Sequence, residues 1–220
     1  MALNRSIGLV AVTLGSVDVR EGCARAAELG FDHFDATASD LDALDADAVA
    51  ALPLPIGDRI SPYEARAGCT SMPLYERRGE DRFDEAVAMF RDQPAARLEP
   101  GPRSVADSIE KVEAIIDAVP GLRLTLDTGH VATWGEDPVR LLRHAGHVQL
   151  RQAAPGKPQL HPDDPEGVVD FAAVLAELER LDYAGLISIE YFDLPDMRMP
   201  LDDPVGHAVA LRDHVRPLFR

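Results

Sequence analysis

The sequence predicts an α/β fold in which parallel strands alternate with crossover helices. Short β-branched and aliphatic runs such as IGLVAVTL and GLISIEYF are separated by segments with helical periodicity, such as VREGCARAAELG and VDFAAVLAELERLDYAG. Strands that alternate with helices are joined by crossover connections, which makes neighbouring strands parallel. A chain of 220 residues suits one domain, residues 1–220, built around a single core.

Seven strand and helix units can be placed along the chain, one fewer than an eightfold barrel requires. Several boundaries carry local signals: Asp137 and Pro138 provide a cap and a first turn, and Gly30 and Gly185 lie near helix ends. The predicted strands lie near residues 7–14, 31–38, 55–61, 95–99, 122–127, 147–152 and 185–191, and the predicted helices near 19–29, 40–51, 80–92, 104–118, 136–144, 168–181 and 203–217.

The missing unit would fall between residues 52 and 95. The text there, PIGDRISPYEARAGCTSMPLYERRGED, is rich in Gly, Pro and charged residues, and it reads as one weak strand followed by a long loop. Two alternatives follow for a TIM-type (β/α) barrel. Either the barrel is trimmed to seven strands, or an irregular segment fills the gap.

Composition narrows the classes of ligand and partner. Thirty-eight acidic residues against twenty-two Lys and Arg give a formal net charge of −16, which disfavours nucleic acid and anionic lipid as partners and favours a small neutral or mildly anionic molecule. No apolar run approaches the roughly 20 residues that span a bilayer, and the start of the chain lacks a signal-peptide cleavage pattern. Cys23 and Cys69 show no C-x-x-C spacing, as is typical of the cytoplasm.

Polar residues stand at the carboxyl ends of four predicted strands. Glu99 closes ARLE, Asp127 closes LRLTLD, Glu190 closes GLISIE, and Gln149 and Arg151 lie within HVQLR. In a parallel barrel these strand ends face one mouth, so residues from separate parts of the chain can converge. Three carboxylates brought together repel one another unless a cation neutralises them. Oxygen donors of this kind favour Mn²⁺ or Mg²⁺ over thiolate-bound zinc.

Other polar residues have more than one interpretation. His130 is a candidate metal ligand, acid/base group or substrate hydrogen-bond donor, although a capping role is the simpler alternative. Asp35, Asp58 and Arg59 end weaker strands and either line the site or form surface ion pairs. Three further histidines lie on helix patterns, where solvent exposure is expected: His144, His207 and His214.

Two further residues are candidates for substrate contact. His161 opens the loop HPDDPEG, which is expected to fold over the mouth and bring its imidazole toward the site. Trp134, in VATWGEDP, could cover a sugar ring or pack on the barrel rim.

The segment LDTGH, followed by HVQLRQ and then GVVDFAAVLAELERLDYAGLISIE, resembles the last three units of the xylose isomerase-like TIM barrels. That group contains sugar phosphate isomerases/epimerases and the family 2 apurinic endonucleases. The resemblance implies that Glu99, Asp127 and Glu190 are metal ligands and that His130 lies beside the substrate. The fourth ligand of the family is usually the second histidine of an H-x-H strand, and Gln149 stands at that position. Either its carbonyl oxygen or His147, on the same strand face, would complete the site.

The resemblance also implies an activity. A divalent metal, Mn²⁺ or Mg²⁺ with Zn²⁺ as the alternative, would assist Glu99, Glu190 and His130 in moving a proton on a sugar-like hydroxy-carbonyl compound through an enediolate. Arg151 could clamp a carboxylate, phosphate or enediolate oxygen. A dehydratase of the inosose or dehydroshikimate type and a non-catalytic barrel stay open as alternatives, and a homodimer is compatible with the family. The charge of −16 argues against an apurinic endonuclease.

Overall fold

The computed structural model describes residues 6–15, 17–61, 64–72, 74, 81–195 and 199–219. Ten strands occur in this part of the chain: β1 Ile7–Val10, β2 His33–Thr37, β3 Ile56–Ile60, β4 Thr70–Ser71, β5 Arg97–Leu98, β6 Arg123–Asp127, β7 Ala145–Leu150, β8 Gln152–Ala154, β9 Lys157–Leu160 and β10 Leu186–Ile189. Eight of them close a parallel barrel in the order β1, β10, β7, β6, β5, β4, β3, β2, and β8 and β9 form a separate antiparallel hairpin.

The helices lie between the barrel strands along the chain. They are α1 Val19–Glu28, α2 Ala38–Asp42, α3 Ala46–Ala50, α4 Phe83–Asp92, α5 Ile109–Ala118, α6 Thr128–Thr133, α7 Phe171–Arg180 and α8 Pro204–Val215, with 3₁₀ turns at Ala11–Leu14, Pro138–His144 and Arg216–Leu218. None of these described helices has the length and apolar character that a bilayer crossing requires.

The barrel has eight strands, so the seven-strand alternative is wrong. The eighth is β4, which is only two residues long and lies inside the segment that reads as a loop. It pairs with Ile60 of β3 on one side and with Arg97 and Leu98 of β5 on the other. Two residues are too few to produce an alternating pattern, and only the closure of the barrel makes them a strand.

Several predicted boundaries also shift. The strand predicted over 7–14 stops at Val10, because the following 3₁₀ turn places the hydroxyl of Thr13 to accept the backbone N–H of Tyr191 at 3.1 Å. The helix predicted over 40–51 divides in two because the Asp45 carboxylate caps a new helix by accepting from Ala48 N–H. The segment predicted as a helix over 136–144 is a 3₁₀ turn. Residue 80, where a further helix is predicted to begin, lies outside the described residues.

The apolar core lies between the barrel and its helices. Along β6, Leu124 and Leu126 are fully buried in the hydrophobic cluster, whereas Thr125 and Asp127, which alternate with them, face the barrel interior. Helix α7 packs Val174 into the same cluster. The alternation therefore directs apolar side chains outward and polar side chains inward, which leaves the interior free for chemistry.

Two glycines make room inside the barrel. A Cβ at Gly8 would lie 2.1 Å from His33 Nε2, and a Cβ at Gly57 would lie 2.2 Å from His33 Cδ2. Between β2 and β3 the register slips, so that Phe34 and Ala36 pair with Ile56 and Arg59. The imidazole of His33 thus occupies space that a typical barrel fills with aliphatic side chains.

Candidate active site

Three strand ends and one short helix bring four ionisable side chains together. Glu99 follows β5, Asp127 ends β6, Glu190 follows β10, and His130 lies on α6. Each offers a ligand atom within 4.8 Å of those of the other three, and all four residues are buried. Among the described residues this is the one group with the geometry to hold a metal ion.

Asp127 has two roles in this geometry. Its Oδ1 accepts the backbone N–H groups of Gly129 at 2.7 Å and His130 at 3.3 Å, which caps α6 and fixes where the helix begins. Its Oδ2 accepts a hydrogen bond from Arg151 Nη2. The same carboxylate therefore orients His130 and anchors the guanidinium.

Arg151 lies wholly within the cluster. Its side chain has no solvent exposure, and its guanidinium stacks over the ring of Phe192 at 4.5 Å. Nη1 lies 3.8 Å from Glu190 Oε2, and neither atom has a hydrogen-bond partner among the described residues. Gly129 is required here, because a Cβ at that position would lie 2.5 Å from Arg151 Nε.

Gln149 stands beside these groups on β7. It pairs in register with Asp127 of β6 and Ser188 of β10, and it is fully buried. Neither its Oε1 nor its Nε2 has a hydrogen-bond partner within the described part of the chain. Burying an unpaired amide costs free energy, so both polar atoms of this side chain are available to a further polar group.

Burial and mutual repulsion set the charges of the cluster. Burial, together with the nearby Asp127 carboxylate, raises the pKa of Glu99 to about 8. Burial and the charges of Glu99 and Asp127 raise the pKa of Glu190 well above its ordinary value. Burial, the largest single effect, would raise the pKa of Asp127, but the charges of Arg151 and His130 and the hydrogen bonds to Asp127 together outweigh it, and the pKa is lowered. Asp127 and Arg151 thus form an ion pair beside two carboxyl groups that hold protons readily.

His130 is neutral in this setting. Burial lowers its pKa to about 4, with Arg151 adding to the effect and Asp127 opposing it. Its Nδ1 lies 3.0 Å from Arg151 Nη2, which can only donate. Nε2 lies 3.4 Å from the same Nη2, so both ring nitrogens contact the guanidinium, and Nε2 also lies 3.8 Å from Glu99 Oε1 and 3.6 Å from Asp127 Oδ2.

A second polar layer fills the barrel on β2, β7 and β10. His147 Nε2 lies 2.9 Å from Asp35 Oδ2, and the two side chains are 3% and 1% exposed. Ser188 Oγ lies 3.1 Å from His147 Nε2 and 3.0 Å from His33 Nε2. His147 is thus engaged with Asp35 and is absent from the metal-competent group, which leaves Gln149 as the side chain of β7 that faces it.

Asp58 and Asp35 are interior residues, whereas Arg59 is not. The Asp58 carboxylate accepts from Arg97 and from the hydroxyl of Thr70, and it is 3% exposed. Asp35 Oδ1 in turn accepts the backbone N–H of Asp58 at 2.8 Å. Arg59 instead pairs with Asp42 outside the barrel, where both side chains are more than a third exposed. Asp35 and Asp58 therefore lie in the barrel interior, and Arg59 forms a surface ion pair.

The pair of Asp35 and His147 predicts a dependence of stability on pH. Burial opposes the charge of each, yet the partner prevails: the pKa of His147 is raised above 6.5 and that of Asp35 is lowered below 3.8. The contribution of His147 is complete below its unfolded pKa and is lost as pH rises through its folded pKa, while that of Asp35 is lost as pH falls through its folded pKa. The groups that face His147 are Asp35, Asp58 and Arg97.

We therefore expect the unfolding free energy to fall between pH 6 and pH 9 more steeply in the wild type than in His147→Gln, measured by urea denaturation at each pH. Glu99 and Glu190 have raised pKa values and contribute in the same direction in both proteins, so the difference between the two slopes isolates His147. Equal slopes would show that His147 does not carry the charge.

A hairpin covers the mouth beside the site. Gln152 N–H donates to the Tyr191 hydroxyl at 3.1 Å, and that hydroxyl donates to the carbonyl of Leu160 at 3.0 Å. The Gln159 side chain binds both the N–H and the carbonyl of Phe192, each at 2.8 Å. Strands β8 and β9 are thus tied to the two residues that follow Glu190.

His161 and Trp134 lie outside the cluster. His161 is exposed, with its ring 5.2 Å from that of His207 and its Nδ1 3.8 Å from Asp163. Trp134 ends α6 and packs partly buried against the apolar core, with its Nε1 lacking a hydrogen-bond partner among the described residues. Trp134 therefore packs on the barrel rim, as one of its two interpretations predicted. His161 contacts α8 and does not reach the cluster.

The comparisons with known proteins agree with the barrel and its strand ends. The family model described as xylose isomerase-like TIM barrel matches residues 24–214. The chain is a xylose isomerase-like TIM barrel. This confirms the resemblance carried by LDTGH, HVQLRQ and GLISIE. No curated protein matches the sequence.

Solved structures share this xylose isomerase-like fold at low identity. D-Psicose 3-epimerase from Clostridium cellulolyticum H10 has a TM-score of 0.72 and 13% identity, covering 98% of this chain and 99% of its own. The probable 3-DHS dehydratase AsbF from Bacillus anthracis has a TM-score of 0.64 and 15% identity, covering 96% of this chain and 98% of its own. The IOLI protein with a binding zinc atom has a TM-score of 0.65 and 15% identity, covering 98% of this chain and 99% of its own. These likenesses show the fold.

Within this xylose isomerase-like barrel, sequence reasoning missed several residues of the site. Tyr191 and Phe192 directly follow GLISIE, and their aromatic character after a strand end was the available signal. Arg97 lies inside ARLE and points inward, as does Glu99 two residues later. The inward alternation that identifies Glu99 also applies to Arg97.

Proposed function

We propose that this protein is a metal-dependent isomerase or epimerase of a small, sugar-like hydroxy-carbonyl compound, acting by proton transfer between carboxyl groups and substrate carbon through an enediolate. The observation that carries the proposal is the convergence of Glu99, Asp127, Glu190 and His130 in a buried cluster at the strand ends. Membership of the xylose isomerase-like family and the epimerases among the structural neighbours support it.

The residues present fit a divalent metal ion. Glu190 Oε2 and Gln149 Oε1 are buried oxygens without hydrogen-bond partners among the described residues, and both border the carboxyl groups of Glu99 and Asp127. Carboxylate and amide oxygens suit Mn²⁺ or Mg²⁺, and Zn²⁺ is the alternative if His130 takes part. These four oxygen-bearing residues would hold the ion. When bound, it supplies Lewis acidity to adjacent oxygens of the substrate.

Glu99 and Glu190 are the proton carriers. The pKa of Glu99 is raised to about 8 and that of Glu190 is raised well above its ordinary value, so both carboxyl groups hold a proton more readily than ordinary glutamates. They enter the site from β5 and β10, on separated parts of the barrel wall. One takes the proton from the substrate carbon, and the other returns it to a neighbouring carbon or to the opposite face.

His130 and Arg151 stabilise the charge that develops on oxygen. His130 is a neutral imidazole, so one of its ring nitrogens can donate a hydrogen bond without a competing positive charge. Arg151 Nη1 has no partner among the described residues and is available to an enediolate, carboxylate or phosphate oxygen.

The test is isotope exchange. The protein is incubated with Mn²⁺ in D₂O and with small ketoses, aldoses and hydroxy-keto acids, and products are followed by NMR. We expect deuterium beside the carbonyl together with a new isomer, at a rate that Glu99→Gln lowers and the exposed control Glu110→Gln does not. Without exchange for any compound, and without a rise in Tm on adding Mn²⁺, the proposal is wrong and a non-catalytic barrel becomes the better account.

The second candidate is a dehydratase with the same site. A neighbour of the same fold is described as a probable 3-DHS dehydratase. Removal of a proton by Glu99 or Glu190 next to a carbon that carries a leaving hydroxyl gives elimination in place of isomerisation. In the same NMR experiment, an unsaturated product formed with release of water identifies this outcome.

A further inference from the structure

We infer that Arg151 is an internal counter-cation of the acidic cluster, competing with the metal ion for the carboxylates and released toward the substrate when the ion binds. This inference rests on the metal site of the proposed function. The new element is that the guanidinium of Arg151 occupies this site in the metal-free protein and that metal binding displaces it.

The acidic cluster holds one permanently charged cation, Arg151, among the described residues. Glu99, Asp127 and Glu190 bring three carboxyl groups into a space that excludes water. Among the described residues, Arg151 is the side chain with a permanent positive charge that contacts them, through Nη2 to Asp127 and through Nη1 at 3.8 Å from Glu190. A buried carboxylate without a counter-charge is costly, so Arg151 stabilises the metal-free protein by pairing with Asp127.

Arg151 and a metal ion would compete for the same carboxylate oxygens. Asp127 Oδ1 is already used by two backbone N–H groups, which leaves Oδ2 as the oxygen that can turn to a metal ion, and Arg151 occupies it. Nη1 likewise faces Glu190 Oε2, which has no hydrogen-bond partner among the described residues. A dication and a guanidinium repel each other and seek the same oxygens, so each lowers the affinity of the site for the other.

The guanidinium of Arg151 also has a support that does not depend on the carboxylates. The guanidinium already lies over the ring of Phe192 at 4.5 Å, which supports a cation without needing a carboxylate. The absence of a Cβ at Gly129 lets the arginine side chain pack in this position, and Nε and Nη1 have no hydrogen-bond partners within the described residues. When the metal ion takes Asp127 and Glu190, the guanidinium keeps this stacking and presents its free N–H groups to a substrate oxygen.

The experiment measures Mn²⁺ affinity by isothermal titration calorimetry and Tm with chelator. We expect Arg151→Gln to bind Mn²⁺ about tenfold more tightly than the wild type, within the usual range of coupling between sites, and to have a lower Tm when metal-free. Arg180→Gln is the matched control, because it removes the same charge from an exposed pair with Glu177. Its affinity should equal that of the wild type.

A second measurement uses the wild type, so it does not depend on whether Arg151→Gln folds. In the wild type, the side-chain Nε–H resonance of Arg151, assigned by its loss in Arg151→Lys, should shift on saturation with diamagnetic Mg²⁺. A wild type that binds metal while Arg151→Gln binds it no more tightly, or while this resonance stays in place, overturns the inference and leaves the proposed function standing. A wild type that binds no metal overturns both.

Discussion

Glu190→Gln is expected to remove stoichiometric Mn²⁺ binding and to lower turnover by about 10²–10⁴-fold, the usual contribution of a general acid or base. Glutamine keeps the size of the side chain but cannot take up or return a proton. Its neutral amide also removes one of three carboxyl groups from the cluster. Metal content of protein purified without chelator, followed by the isotope exchange assay, measures both effects.

The control for this variant is Glu179→Gln, which changes the same residue type at an exposed position near the end of α7. It should keep both metal and turnover. If Glu190→Gln retained the metal content of the wild type and its exchange rate, Glu190 would be neither a ligand nor a proton carrier, and the assignment of the site to these strand ends would be wrong.

Asp35→Ala is expected to lower the unfolding free energy by about 3–5 kcal/mol, the cost of breaking a buried ion pair by removing one partner. His147 would be left with a buried charge, and the backbone N–H of Asp58 would lose its acceptor. Urea denaturation at pH 6 measures this loss, because at that pH the histidine is still charged.

Asp42→Ala provides the comparison for Asp35→Ala. Asp42 also pairs with arginines, Arg59 at 2.5 Å and Arg66 at 2.9 Å, but it is 46% exposed. Exposed pairs contribute about 0–1 kcal/mol, so a small change is expected. Similar losses for the two variants would mean that the interior pair gains nothing from its burial.

The sequence was sufficient for the barrel and for the strand ends of its second half. Asp127 and Glu190 follow strands whose apolar character is unmistakable, and the parallel arrangement then requires that they face one mouth. Gln149 on β7 and Arg151 just beyond its end were identified by the same alternation. These inferences depend on local pattern and on one general rule of topology.

The first half of the barrel was harder, for physical reasons. Strand β2 reads HFDAT, in which His33 and Asp35 interrupt the apolar pattern, and their burial is possible only because Gly8 and Gly57 lie opposite. That compensation comes from distant positions and cannot be seen locally. The β8–β9 hairpin was also missed, although Pro155 and Gly156 form a recognisable turn signal between its strands.

Three consecutive residues join functions that are usually separate. Glu190 is a proposed proton carrier, Tyr191 and Phe192 hold the hairpin through their hydrogen bonds, and Phe192 also supports the guanidinium of Arg151. Opening the hairpin must therefore loosen the strand end that positions the acid/base group. The stability of the hairpin and the position of the Glu190 carboxyl group are therefore coupled through one backbone segment, and a substitution that weakens the first is expected to disturb the second.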